Sequence, residues 1–120
     1  MFHFEEGEVF LIDKPLDWTS FDAVNLIRAV IKRYHGIRKL KVGHAGTLDP
    51  LATGLLIICT GRMTKQIDNF QAQEKVYTGT MLLGQTTPTY DLESEPDAFY
   101  PTDNITEEML ECARKSFLGD

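Results

Sequence analysis

One carboxylate stands alone in the middle of this sequence. Asp49 is the only acidic residue between Ala23 and Ile67, a window that holds eight Lys or Arg: Arg28, Lys32, Arg33, Arg38, Lys39, Lys41, Arg62 and Lys65. It lies in "GHAGTLDPLATGLL", residues 43 to 56, preceded by His44 and flanked by Gly43, Gly46 and Gly54. An aspartate before proline has an ordinary structural use, capping a turn made here by "PLAT" and closed by Gly54. That use accounts for Asp49 and Pro50 but not for the three glycines, which permit positive φ and close approach of a second backbone, as a pocket wall requires. The loop lacks the Lys-Ser/Thr pair of a P-loop, and only Gly43 and Gly46 fall near a dinucleotide pattern, so a phosphate cradle is disfavoured.

The neighbourhood restricts what Asp49 can do. A general acid must keep its proton at neutral pH, which takes strong desolvation, and nearby cations act the other way. The ionised form serves as nucleophile, base or electrostatic stabiliser. A glycosidase-like pair needs a second carboxylate, and the nearest acids along the chain are Asp22 and Asp68. A metal site needs more donors than Asp49 and His44. Nucleophilic chemistry by a single carboxylate on a polyanionic substrate uses all these observations.

The chain has 120 residues, enough for one domain with a modest core or a piece of such a domain. Its 42% hydrophobic and 25% charged content is that of a globular protein. The longest apolar run, Leu55 to Cys59, is too short to cross a bilayer, and Glu5, Glu6 and Glu8 occupy the region where a signal peptide carries positive charge, so a cytoplasmic protein is expected. Cys59 and Cys112 lack metal-ligand or redox spacing and read as buried free thiols. The net charge of -6 argues against a nucleic-acid partner, but its distribution argues for one. Arg28 to Lys41 carries six Lys or Arg plus His35 and no acid, whereas Asp91 to Glu111 carries eight acids and no base. Such polarity lets one face attract phosphates while another stays negative.

The elements that must position Asp49 alternate. "EVFLID" (8–13) reads as a strand ended by Lys14-Pro15. Thr19 or Ser20 caps a helix, with Asp22 completing a capping box and Phe21, Val24, Ile27, Ile31 and Tyr34 as its apolar stripe, stopping near Gly36. "KLKVG" and "LLIICTG" read as strands on either side of the Asp49 loop, "MTKQIDNFQAQ" as a short helix opened by Thr64, and "KVYTGTMLLG" as a longer alternating strand. Gln85 to Asn104, with Pro88, Pro96 and Pro101, reads as loop, and Thr106 caps a last helix with a stripe of Met109, Leu110, Ala113 and Phe117.

The motif "GHAGTLDPLATGLL" resembles, over its whole length, the central motif of the TruB family of tRNA pseudouridine synthases. It is accompanied in order by "FLIDKPLDWTSFDAV", "TGRMTKQI", "KVYTGTMLLGQTTPTYD" and "FLGD", so the resemblance covers about Val9 to Asp120. It implies an α/β (α+β) fold with a mixed, largely antiparallel sheet flanked by helices, incomplete where the later strands belong. It implies that Asp49 is the nucleophile, that His44 lies beside the displaced nucleotide, and that Tyr77 stacks on the flipped uracil. The implied substrate is tRNA, at the T-loop uridine of position 55, whose uracil is detached, turned and rejoined through C5. No metal and no other cofactor is implied, because the reaction is an isomerisation.

Asp17 stands where the family usually has glycine after Lys-Pro-x, and Ser94 where glycine often closes the later turn. The family's Ser-Ala-x-Lys segment, RNA-gripping thumb, Lys-Gly-x-Tyr-Ile-Arg strand with the arginine that pairs with the catalytic aspartate, and C-terminal RNA-binding domain are absent. Residues 1–120 are therefore expected to be the N-terminal portion of the catalytic domain, inactive alone and prone to self-association through uncovered apolar surface. Two other readings stay open: a non-catalytic RNA-binding module using the basic surface, and a small interaction domain whose Asp49 only caps a turn.

Overall fold

The computed structural model describes residues 2–119. Its elements are β1 (Val9–Lys14), α1 (Ser20–His35), β2 (Val42–Ala45), β3 (Gly54–Thr60), a 3-10 turn (Gly61–Gln66), α2 (Ile67–Gln71), β4 (Gln85–Thr86), β5 (Ala98–Phe99) and α3 (Glu107–Ser116). The chain divides into two compact units, one ending at Val76 and one beginning at Tyr77. Helices accompany antiparallel sheets in an α+β arrangement, as expected.

In the first unit the sheet order is β1-β3-β2. β3 pairs antiparallel with both neighbours, Lys14 facing Gly54 on one side and Val42 facing Thr60 on the other. β1 and β2 therefore run in the same direction, joined by α1 with β3 inserted between them, a split β-α-β unit. Alternation along β3 places Leu56, Ile58 and Thr60 on one face, all buried. α1 covers this face: Ala23 and Val24 join Val42, Leu56 and Ile58 in the core, with Phe10, Ile12, Ile27, Leu40 and Leu48 packed against them. Full burial of a Leu or Ile contributes about 1.5–3 kcal/mol, so this cluster dominates the unit's stability.

Local signals set the limits of α1. Thr19 Oγ1 accepts from the Asp22 N–H at 3.1 Å, and Asp22 Oδ2 accepts from the Thr19 N–H at 2.9 Å, completing the capping box. The Thr19 hydroxyl, which also donates to Asp22 Oδ2 at 2.6 Å, and then the Thr19 N–H hold the Asp22 carboxyl below the usual aspartate range. Gly36 ends the helix at φ 69°, its N–H donating to the Lys32 carbonyl. The inward stripe is Ser20, Ala23, Val24, Ile27 and Ile31. Phe21 and Tyr34, expected inward, are exposed, because the buried face is centred about one residue earlier along the helical wheel.

The remaining boundaries shift modestly. β2 runs two residues past the expected strand, which puts His44 on it. Thr64 does not cap a helix: its hydroxyl donates to the Gly61 carbonyl inside the 3-10 turn.

The second unit departs further from expectation. The segment "KVYTGTMLLG", whose first two residues still belong to the first unit, forms no regular secondary structure, and Tyr77, Met81 and Leu82 are exposed. Alternation specifies which face a strand would bury but supplies no partner strand, and none pairs with it among the described residues. Within the expected loop, β4 and β5 form a two-residue ladder. Asp91 organises the turn between them: its carboxylate accepts from the Thr89 hydroxyl at 2.6 Å and the Glu93 N–H at 2.9 Å, and these bonds lower its pKa. Thr106 caps α3 as expected, accepting from the Met109 N–H at 3.3 Å. Cys59 is buried, which pushes its thiol pKa up, whereas Cys112 is exposed on α3 and corrects the expectation of two buried thiols. Among the described residues, no helix is long and apolar enough to cross a membrane.

Candidate active site

Asp49 sits in the connection from β2 to β3. Gly46 leaves β2 at φ 93° and Gly54 enters β3 at φ 126°, values that side-chain-bearing residues rarely adopt. Gly43 is needed for another reason: a Cβ there would lie 2.9 Å from Ile67 Cδ1, so the close approach is by a side chain of α2 and not by a second backbone.

Two anchors fix the loop on either side of Asp49. The hydroxyl of Ser20, the first residue of α1, accepts from the Leu48 N–H at 2.9 Å and lies 3.1 Å from the Leu48 carbonyl, satisfying both polar groups of that residue. On the other side the Pro50 carbonyl accepts from the Asp17 N–H at 2.9 Å and from Lys14 Nζ at 3.5 Å. The Lys14 ammonium also donates to the Pro15 and Trp18 carbonyls, at 2.9 and 2.5 Å. Lys14 is fully buried, and a buried charge persists only when its donors are satisfied, as they are here by three main-chain oxygens. Asp17 meets the Pro50 carbonyl from a backbone at φ 63°. Glycine suits that conformation best and aspartate tolerates it, which accounts for the departure noted in the sequence.

Between the anchors, the Ala52 N–H donates to the Asp49 carbonyl at 3.0 Å, closing a turn with Pro50 at its second position. The turn is thus made by the main chain of Asp49. Its side chain is exposed, and among the described residues no hydrogen-bond donor reaches the carboxylate.

His44 is half-buried on β2 opposite Ile58, with Nδ1 2.6 Å from the Gly46 carbonyl. A carbonyl only accepts, so Nδ1 carries a proton and Nε2 is the ring's remaining polar atom. His44 and Asp49 therefore belong to one strand-and-turn segment of the first unit. Tyr77 belongs to the second unit, in the stretch without regular structure, with 70% of its surface exposed.

Ser20 and Lys14 were not singled out by sequence as site residues. A lysine closing an apolar run before proline was a faint signal for Lys14. Nothing local marks Ser20, whose partner is 28 residues away. The cavity described in the first unit, about 260 Å³, is lined by Glu5, Lys39, Lys41 and Arg62 among others, and not by Asp49 or His44.

Comparison with known proteins supplies the context of this loop. The family described as TruB family pseudouridylate synthase (N terminal domain) matches residues 32–120. The chain is 59% identical over 117 residues to a tRNA pseudouridine synthase B of Phocaeicola vulgatus, covering 98% of this chain and 50% of that protein. It is 57% identical over 116 residues to one of Parabacteroides distasonis (97% and 49%) and 48% identical over 116 residues to one of Chlorobaculum tepidum (97% and 48%). The chain thus spans about half the length of the curated relatives it matches. A match over most of the sequence, including the segment that carries Asp49, means that this chain belongs to the TruB family of pseudouridylate synthases.

Proposed function

We propose that the chain is the N-terminal portion of the catalytic domain of a tRNA pseudouridine synthase that isomerises the T-loop uridine, with Asp49 as nucleophile. The observation that carries this reading is a carboxylate left open to solvent on a turn whose two neighbouring residues are clamped. A nucleophile needs its reacting oxygen unencumbered and its backbone fixed, since small misplacements of reacting atoms are costly in rate. In the isomerisation the bond from uracil N1 to ribose C1′ breaks, a bond from C5 to C1′ forms, C5 loses its proton and N1 takes one up, and the bond made by the attacking carboxylate is broken again before product leaves. Asp49 supplies the attacking oxygen. The target base must leave its stack, which costs a few kcal/mol, and stacking on the exposed ring of Tyr77 returns about 1–3 kcal/mol. His44, with its ring oriented by the Gly46 carbonyl, lines the path of the displaced nucleotide through Nε2.

The partner is tRNA, and the working compartment is the cytoplasm, where that substrate is met. The isolated 120 residues form little or no pseudouridine and self-associate through side chains such as Met81, Tyr90 and Phe117, each about nine-tenths exposed. Turnover on a T-loop hairpin by stoichiometric chain would overturn the expected inactivity.

The decisive experiment replaces the matching half of the Phocaeicola vulgatus relative with this sequence. The chimera forms pseudouridine in a T-arm hairpin, and the same chimera carrying Asp49→Asn forms none while binding the RNA within about three-fold. Retained modification by the Asn variant would remove the nucleophilic role.

A further inference from the structure

The cavity of the first unit lies at the end of the sheet opposite Asp49. Asp49 follows the C-terminal end of β2 and precedes the start of β3, beside the end of β1. The cavity opens where β2 begins and β3 ends, around Lys39, Lys41, Gly61, Arg62 and Lys65. β3 has seven residues, so at about 3.4 Å per residue the two ends are roughly 20 Å apart.

Its construction brings cations together from two parts of the chain. The Gly61 N–H donates to the Lys41 carbonyl at 2.9 Å, extending the β2–β3 ladder and holding the Lys39–Lys41 segment beside Arg62. The N-terminal turn closes the floor: a Cβ at Gly61 would lie 2.2 Å from the Glu5 carbonyl, so the two backbones meet there and only glycine fits. Among the described residues, Lys39, Lys41, Arg62 and Lys65 form no ion pair, and Glu5 is the one acid lining the cavity. A cation is ordinarily neutralised by a neighbour or left to solvent on an open face. These four are exposed to solvent as well, but they are gathered around one open concave space, which concentrates positive potential there.

We propose that Lys39, Lys41 and Arg62 form a binding site for phosphate groups, occupied by the phosphodiester backbone of RNA. The site is separate from the loop that carries Asp49, and it rests on the RNA-modifying reading only for the source of the phosphate. Arginine offers a planar fork suited to two phosphate oxygens, and the lysines add compact charges. Backbone contacts orient a substrate without reading its sequence, so the site sets how the RNA lies across the sheet and not which base is chosen.

The test measures binding of the full 120-residue chain to a T-arm hairpin and to a hairpin of unrelated sequence between 50 and 200 mM salt. The triple variant Lys39→Ala, Lys41→Ala, Arg62→Ala should weaken both RNAs at least ten-fold at the lower salt and reduce the slope of log affinity against log salt by about 2. Glu5→Gln should tighten binding two- to three-fold. The equally neutralising triple Lys32→Ala, Arg33→Ala, Arg38→Ala, outside the cavity, should cost less than three-fold. Equal losses from the two triples would reduce the effect to diffuse attraction and overturn the site. Saturation by inorganic phosphate alone, with RNA affinity indifferent to the cavity triple, would overturn RNA as the source. Should the triple unfold, Arg62→Lys and Arg62→Ala decide, the first retaining and the second losing affinity. Binding by the cavity variants and pseudouridine formation by the chimera are read separately, so the cavity and the nucleophile fail independently.

Discussion

The two units of this chain solve different problems with the same kinds of residue. Before Val76, alternation and helical spacing converge on a shared interior, where Val24, Leu56 and Ile58 retain at most 1% of their surface. After Tyr77, Leu82, Tyr90, Phe99 and Phe117 remain 65–94% exposed, and Thr87 is the only buried residue among those described there. Shape in the second unit comes from short-range polar bonds, such as Thr89 and Glu93 on Asp91 and Thr86 on Asp97. Hydrogen bonds of this kind define a turn yet contribute little net free energy, because water offers equivalent partners. Burial is what turns the first unit into a rigid support for Asp49.

Truncation of side chains measures the contrast most directly. Leu56→Ala should destabilise the first unit by about 2–5 kcal/mol in urea titration followed by Trp18 fluorescence, since the cavity it leaves cannot collapse between sheet and helix. Leu110→Ala on α3 should move the same transition by less than about 0.5 kcal/mol. Comparable effects at the two positions would abolish the distinction between the units.

A smaller effect sharpens the link between core and loop. Ser20→Ala strips both polar groups of Leu48 of their partner and should cost about 1–3 kcal/mol, with the Leu48 amide exchanging faster with solvent while amides of the turn around Asp91 are unchanged. Unaltered exchange at Leu48 would show that the Lys14 anchor is sufficient.

The two threonine caps give the smallest and most selective comparison. Thr19→Ala should cost the global transition about 1 kcal/mol, whereas Thr106→Ala should lower the helical signal of α3 and leave that transition in place. The Asp22 carboxyl, held below its ordinary range in the folded chain, contributes stability that is complete above the unfolded aspartate value and lost as acidification passes the depressed folded value. Asp22→Asn should flatten this acid limb, and an unchanged limb would assign it to other carboxylates.

Sequence disclosed whatever depends on neighbours along the chain. The capping box of Thr19 and Asp22, the stop at Gly36 and the short apolar β3 rest on local chemistry, and Asp49 stood out because nothing near it is acidic. Contacts between distant residues left no such trace. Ser20 looked like a cap and acts as a clamp on Leu48; Lys14 looked like the end of a strand and is a buried ammonium donor shared by three carbonyls. The error at "KVYTGTMLLG" has the same origin, since a ladder needs a second strand and period-2 alternation is silent about one.

The order of the anchors has a consequence for synthesis. Lys14, Asp17 and Ser20 all precede Leu48 and Pro50, so a ribosome delivers every holding group of the loop before the segment that it holds. The acid-bearing turn emerges after every group that holds it, and those groups take up their places only when β3 enters between β1 and β2.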